Sequence, residues 1–295
     1  MYLNLLHVDD ALKRQALFLE QCRGLQARES EAAEAAAGLR LWGKDAAVEN
    51  FRRHLHSSLH CNGGSGTVVT FMGSGDFHHI SALLIGMMAE SSDAPLTVIH
   101  FDNHPDWVHF SGGLHCGSWV NRALALPQVK RVITIGACSR DLRWPEWKRA
   151  NLQALRNGKT ILLPWRSPSQ RFRARDIGGL ERDQFLNLLK TLIPTRNVYI
   201  TIDKDVLSHE GAVTNWDQGQ MDVGTLVATL RFVLAHHHAV GIDVTGDYSR
   251  PHYPDMLRKL ETLIDQPWRQ PDADHAANIN QKSNLRLLEC ISEAA

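Results

Sequence analysis

Three short apolar runs, each breaking off into a knot of carboxylates, two of them with imidazoles, constrain this chain more than any other feature. Residues 67–72 lead into Gly73-Ser74-Gly75-Asp76-Phe77-His78-His79. Residues 97–101 lead into Asp102-Asn103-His104-Pro105-Asp106, and residues 197–202 into Asp203-Lys204-Asp205. The runs are rich in β-branched and aromatic residues, which suit strands. Being apolar almost throughout, they read as strands buried on both faces, as in a parallel sheet with helices above and below. Open parallel sheets build their sites at the C-terminal ends of the strands, where all three runs place their acids.

The spacing adds chemistry. Side chains alternate across a strand, so Asp203 and Asp205 share a side while Lys204 faces the other. Asp102 and His104 share a side as long as the chain stays extended, which Pro105 favours by keeping His104 out of the helical region. Asp106 then turns in from the loop. Four carboxylates in one place repel one another, and two divalent cations would balance them. A set rich in oxygen with a few imidazoles suits manganese better than a thiolate-type zinc site. Taken singly, each motif has a plainer reading as a capped or solvated turn. Their threefold recurrence after apolar strands is what points to a two-metal centre, with ions roughly 3.5–4 Å apart.

At 295 residues the chain can bury a large core. It is read as one domain, residues 1–295, with an N-terminal helical region at 1–62 and a C-terminal tail or helix at 266–295. Basic and acidic residues number 32 each, so the electrostatic footprint of a nucleic-acid binder is absent. No apolar run reaches the length of a membrane span, and the first residues lack the basic and apolar regions of a signal peptide. Cys22, Cys61, Cys116, Cys138 and Cys290 are odd in number and scattered. They read as free thiols of a cytoplasmic protein. His236-His237-His238 closes a helical run, where imidazoles meet the negative end of the helix dipole.

Along the chain, residues 8–60 read as helix, followed by a glycine-rich loop at 62–66. Strands are expected at 67–72, 97–102, 131–136, 160–164, 197–203 and 239–244. Helices are expected at 78–90, 116–125, 145–157, 181–192 and 222–236. This alternation predicts a three-layer α/β/α fold with a mainly parallel sheet. The tail turns amphipathic around Leu285, Leu287, Leu288 and Ile291, and could dock as a last helix or meet a partner subunit in a homo-oligomer. The basic stretch 166–175 reads as a solvated loop, with capture of a substrate carboxylate or an acidic peptide segment as its functional alternative.

The three motifs, in their order, resemble the signatures of the ureohydrolases, the arginase and agmatinase family. The match is sharp at the ligand positions and spans roughly residues 67–250. The resemblance implies an arginase-like fold and a binuclear manganese centre. It implies that His78 and Asp106 bind one ion, His104 and Asp205 the other, and that Asp102 and Asp203 bridge both. It further implies that His115, in the loop Ser111-Gly112-Gly113-Leu114-His115, is a proton shuttle at the substrate. A plain backbone-bonded loop histidine is the alternative. Cys116 beside it reads as a small buried thiol rather than a nucleophile.

The chain also departs from the family. Asn103 fills the small-residue slot, and Ser208-His209 stands where an Asp-Pro is usual. The late strand that should present a guanidinium-binding Glu carries Gly246 at that place. Asp247, one residue on, and Asp243 are the candidates to replace it. The expected activity is hydrolysis of a guanidino group, on a small molecule or a peptidyl arginine, to urea and an amine, with Asp106 moving the proton. A metal-dependent amide or formimino hydrolase on the same scaffold and a non-catalytic metal-binding module are the competing readings.

Overall fold

The computed structural model describes residues 1–59, 66–167, 169–253, 256–266 and 270–294. The loop expected at 62–66, apart from Gly66, lies outside them, as do Cys61 and Pro168. The strands are β1 (Tyr2–His7), β2 (Arg28–Glu31), β3 (Trp42–Gly43), β4 (Val68–Met72) and β5 (Leu96–Phe101). They continue as β6 (Leu114–His115), β7 (Val129–Ile135), β8 (Thr160–Leu163), β9 (Asn197–Asp203) and β10 (His238–Thr245). Eight of them form one sheet in the order β2-β1-β4-β10-β9-β5-β7-β8, with every neighbouring pair parallel. β3 and β6 pair antiparallel at its rim.

Alternation along the strands divides the core into two layers. Val69 and Phe71 of β4 and Ile99 and Phe101 of β5 pack on one face with Phe18, Leu226, Leu230 and Leu287. Met72 and Val98 point to the other, with Phe51, Ile80, Leu83 and Trp119. Helices cover both faces, so the expected α/β/α layering is what the chain adopts.

The N-terminal region corrects the sequence reading. Residues 8–60 were expected as helix, yet β2 and β3 interrupt them, and β1 and β2 extend the main sheet by two strands. The β2 sequence Arg28-Glu29-Ser30-Glu31 is charged and mostly exposed. It is an edge strand kept polar against pairing with other chains, and its composition hides it from any strand propensity. The expected helix at 145–157 shrinks to Leu152–Arg156. Arg149 sits at φ +55°, and the Asn151 side chain caps the shorter helix by accepting from the Ala154 N–H, which sets its start. The C-terminal segment folds as the helix Ala273–Ala294. It buries Leu287, Leu288 and Ile291 among Leu226, Leu230 and Val233 of the helix Val223–His236.

The three strands that lead into the acidic motifs end on one rim but are not all neighbours. β9 lies beside β5, whereas β10 stands between β9 and β4. From β4 the chain jumps across the places later filled by β10 and β9 to reach β5. The crevice above the four inner strands is therefore a topological switch point, where open sheets bind ligands.

Candidate metal centre

A cavity of about 400 Å³ opens at this rim, with Gly75, His78, Asp102, His104, Asp106, Asp203 and Asp205 on its floor. All six proposed ligands face it. Asp102, Asp106, Asp203 and Asp205 are buried, and so much buried acid in one place is costly without cations.

Each ligand is held by local structure. Asp203 ends β9, and its Oδ1 accepts the N–H of Asp205 across a single 3-10 turn, Lys204–Val206. The turn sends both carboxylates to the cavity and Lys204 away from it. Asp102 follows β5, and its Oδ1 accepts the His104 N–H at 2.5 Å. The Asn103 N–H donates to Asp205 Oδ1 at 2.9 Å, tying the second motif to the third. Asp106 sits at φ +48°, a conformation a non-glycine residue keeps only where its surroundings enforce it. The Trp119 indole supplies part of that enforcement, donating to Asp106 Oδ2 at 2.6 Å.

The two histidines make the case for cations. His78 Nε2 lies 3.0 Å from the Thr201 hydroxyl. Its Nδ1 points the other way, 3.0 Å from Asp102, 3.1 Å from Asp106 and 3.5 Å from Asp203, and is buried without a properly angled hydrogen bond. His104 Nε2 stands 2.7 Å from Asp217 Oδ1 and its Nδ1 2.9 Å from Asp205 Oδ2. A neutral imidazole has one N–H, so the His104 ring cannot satisfy Asp205 and Asp217 together. Either the ring takes a second proton or a cation sits between nitrogen and carboxylate. Burial opposes the charge of His78, but Asp102 and Asp106 beside it carry its pKa well above the ordinary value. Burial opposes His104 likewise, and Asp217 and Asp205 raise it well above its usual range.

The carboxylates divide the load unevenly. Burial and the neighbouring Asp102 push Asp106 up to about 6 and Asp203 up to about 6. Asp205 is raised well above the carboxylate range by burial, Asp102 and Asp203. Asp102 goes the other way: burial is outweighed by His100, His104 and His78, which hold it well below. Ligand-type atoms of His78, His100, Asp102 and Asp106 gather within 4.8 Å of one another, and those of Asp102, His104 and Asp205 do the same. The two groups share Asp102. Four carboxylates, two cation-facing imidazoles and an unsatisfied Nδ1 fit a pair of divalent ions, and the oxygen-rich set is of the hard type.

Four supporting residues were not anticipated. His100 lies 2.8 Å from Asp102 Oδ2 and 3.0 Å from the Thr134 hydroxyl. It stands on β5 two residues before Asp102, so alternation could have revealed it. Thr201, two residues before Asp203, was legible in the same way. Asp217, in an irregular segment, and Trp119, on a helix, carry no signal in sequence.

The substrate side corrects several expectations. Asp247 does not reach the cavity. It is buried against Lys204 Nζ at 2.6 Å, Gln15 Nε2 at 2.8 Å and Asn284 Nδ2 at 3.2 Å. Asp243 is also turned away, bonded to Ser81, Tyr199 and Thr201. Gly246 explains why this strand end delivers no acid. It sits at φ +89°, and a Cβ there would lie 2.3 Å from Asp203 Oδ1. No described residue of the basic stretch 166–175 lines the cavity; Arg171 pairs with Glu146 and Phe172 packs against Trp107.

His115 does line the cavity. Its Nδ1 accepts the Gly117 N–H at 2.9 Å, and burial and Lys148 push its pKa down to about 4. With Nδ1 accepting, the neutral ring carries its proton at Nε2. Burial pushes the Cys116 thiol well up, which removes it as a nucleophile.

A model of the arginase family matches residues 42–245. The chain belongs to the arginase family. Members of this family are hydrolases of C–N bonds and generally depend on a binuclear metal centre. Among solved structures, the arginase of Bacillus subtilis superposes with a TM-score of 0.62 at 14% identity, covering 99% of this chain and 98% of that one. The proclavaminate amidino hydrolase of Streptomyces clavuligerus superposes at 0.56 with 19% identity, covering 87% and 74%. An uncharacterized protein of Thermotoga maritima is 26% identical over 179 residues, 61% of this chain. The chain spans 58% of the length of that relative. No helix among the described residues is long and apolar enough to cross a membrane.

Proposed function

We propose that this arginase-family member is a two-metal hydrolase that cleaves a C–N bond at a planar carbon. The observation that carries the reading is the convergence of His78, Asp102, His104, Asp106, Asp203 and Asp205 on one cavity floor, with imidazole nitrogens aimed at carboxylates. In this reading His78 and Asp106 would hold one ion and His104 and Asp205 the second, with Asp102 and Asp203 contributing to both. Manganese is the proposed metal. When bound, such a pair lowers the pKa of a water molecule enough to give hydroxide near neutral pH.

The chain's own groups do the rest. Trp119 fixes Asp106 Oδ2, leaving Oδ1 to take a proton from the attacking water and return it to the leaving nitrogen. His100 and the His104 N–H fix the two oxygens of Asp102. Thr201 and Asp217 orient His78 and His104 from behind, as outer partners of metal-binding histidines do. His115 presents a neutral N–H to the scissile group. The free buried thiols of Cys22, Cys116, Cys138 and Cys290 support a reducing, cytosolic setting.

The test is reconstitution of the full chain with Mn²⁺, followed by a screen over guanidino, formimino and N-acyl compounds. Release of urea, ammonia and primary amine is read in parallel. Turnover that disappears on chelation and returns with Mn²⁺ is the expected result. Full metal occupancy without turnover of any C–N compound would leave only the metal-binding module.

A further inference from the structure

We infer that the surface at the outer lip of the cavity, built from residues 140–149 and 166–176, is a docking site for an acidic polypeptide segment. It goes beyond the hydrolase reading above and does not depend on it.

The sequence keeps these two segments apart and the fold joins them. The Ser169 hydroxyl donates to the Leu142 carbonyl at 2.8 Å, and Arg171 pairs with Glu146. Phe172, buried on Trp107, anchors the second segment. Together they hold eight basic residues against three acidic ones, in a chain whose total charge is balanced. The three acids are already engaged. Asp141 meets Lys148 at 3.2 Å, Glu146 meets Arg171, and Asp176 accepts the N–H groups of Arg166, Ser167 and Gly178. Around them Arg140, Arg143, Arg149, Arg166, Arg173 and Arg175 are exposed. A guanidinium takes a carboxylate through two parallel N–H bonds, so a cluster of guanidinium groups is complemented by a run of carboxylates.

Charge alone would describe a solvated face, but two large rings stand within it. Trp144 is 69% exposed and Trp147 89%. They share one tight turn, closed by the Trp147 N–H on the Trp144 carbonyl at 3.1 Å. Water gains nothing from such rings, whereas Trp and Arg are the residues that dominate binding at protein interfaces. An element that lies on a membrane surface is typically an amphipathic helix; these rings stand on a turn. The balanced charge of the chain as a whole speaks against nucleic acid.

The position is functional ground. Ala150 forms a bridge with Val108, and the His109 N–H donates to the Arg149 carbonyl at 2.9 Å. Val108, Phe110 and Lys148 line the cavity. The tryptophan turn is therefore the outward continuation of the cavity lip, and a polypeptide lying on it borders the entrance.

The experiment measures binding to the full, Mn²⁺-loaded chain by fluorescence anisotropy. The probes are two fluorescein-labelled peptides of equal length, one alternating glutamate with alanine and the other glutamine with alanine. Labelled phosphatidylserine vesicles and a labelled deoxythymidine oligonucleotide serve as the competing partners. The glutamate peptide should bind at least about tenfold tighter than the glutamine peptide, and the advantage should shrink as salt is added. Trp147→Ala and Arg173→Glu should each remove most of it. Both positions are exposed, so the circular dichroism and melting temperature of the variants should match those of the unmodified chain. Equal affinity for the two peptides, or a preference that neither substitution changes, would overturn the inference. Tighter binding of the vesicles or of the oligonucleotide than of the glutamate peptide would overturn it as well. Absence of turnover in the hydrolase screen would leave these readouts untouched.

Discussion

Replacing Asp217 by Asn should weaken one metal site and spare the other. Asp217 Oδ1 accepts from His104 Nε2 at 2.7 Å, the length of a charge-assisted hydrogen bond. The carboxylate fixes the ring so that Nδ1 faces Asp205, and it makes that nitrogen a stronger donor. Loss of such an outer partner typically weakens metal binding by about 10–100-fold. The Asp217 side chain is 46% exposed, so solvent screens part of its charge and the lower end applies. That is roughly tenfold, or about 1.4 kcal/mol.

Proton competition predicts how the effect varies with pH. Asp217 also raises the proton affinity of His104, and a metal must displace that proton. The unmodified chain therefore gives up more binding energy at low pH than the variant does. The difference in affinity should narrow as the pH falls and reach its full size only above the raised pKa of His104. Equilibrium dialysis with metal analysis, run at several pH values, measures both ions per chain. If the Asp217→Asn variant binds both ions as tightly as the unmodified chain at high pH, the role is refuted. A difference that widens on acidification would refute the sign of the proton argument.

Trp119→Phe keeps most of the ring packing but removes the donor to Asp106. It should cost about 1–2 kcal/mol of affinity at the first ion, seen in manganese titration, with little change in the melting temperature of the metal-free chain. Gly246→Ala should lose at least about 2 kcal/mol of stability and also metal, because φ is +89° and the Cβ meets Asp203; denaturant unfolding measures it. Lys204→Met strands the buried carboxylate of Asp247 and should destabilise by about 3–5 kcal/mol, a change read in the metal-free protein and so independent of catalysis. Asp106 and Asp203 titrate near 6 in the metal-free fold, above the ordinary 3.8, so the native state holds their protons more tightly than the unfolded one. Their contribution is full below 3.8 and is lost as the pH rises through 6. The metal-free melting temperature should fall over that interval, and saturating Mn²⁺ should reverse the slope.

Much of the architecture was legible because the buried strands declare themselves. β4, β5 and β9 are apolar on both faces, and each ends where its ligands begin. β1 and β2 were missed for opposite reasons: the first stands before any motif that would mark it, and the second is an edge strand of charged residues. That the six acids and imidazoles meet at one cavity could be read because i, i+2 spacing and the loop after β5 bring them together whatever the flanking sequence. His100 and Thr201 obeyed the same rule and could have been read. Asp217 and Trp119 could not, since a contact across 113 residues, or one from a helix onto a loop, leaves no local period. Asp247 was misjudged because sequence shows that a carboxylate follows Gly246, but not that Lys204, Gln15 and Asn284 wait behind the rim to hold it.

The strand order has a consequence for how the molecule comes into being. β4 and β5 are made early, but their inner edges stay open until β9 and β10 are inserted between them. A ribosome-bound or truncated chain ending before residue 238 exposes unpaired backbone in the middle of its apolar sheet, where other chains can add on. Asp203 and Asp205 arrive with β9, so neither metal site has its full donor set before then. In the proposed two-metal reading, ion binding therefore waits on β9, the strand that closes the inner edge of β5.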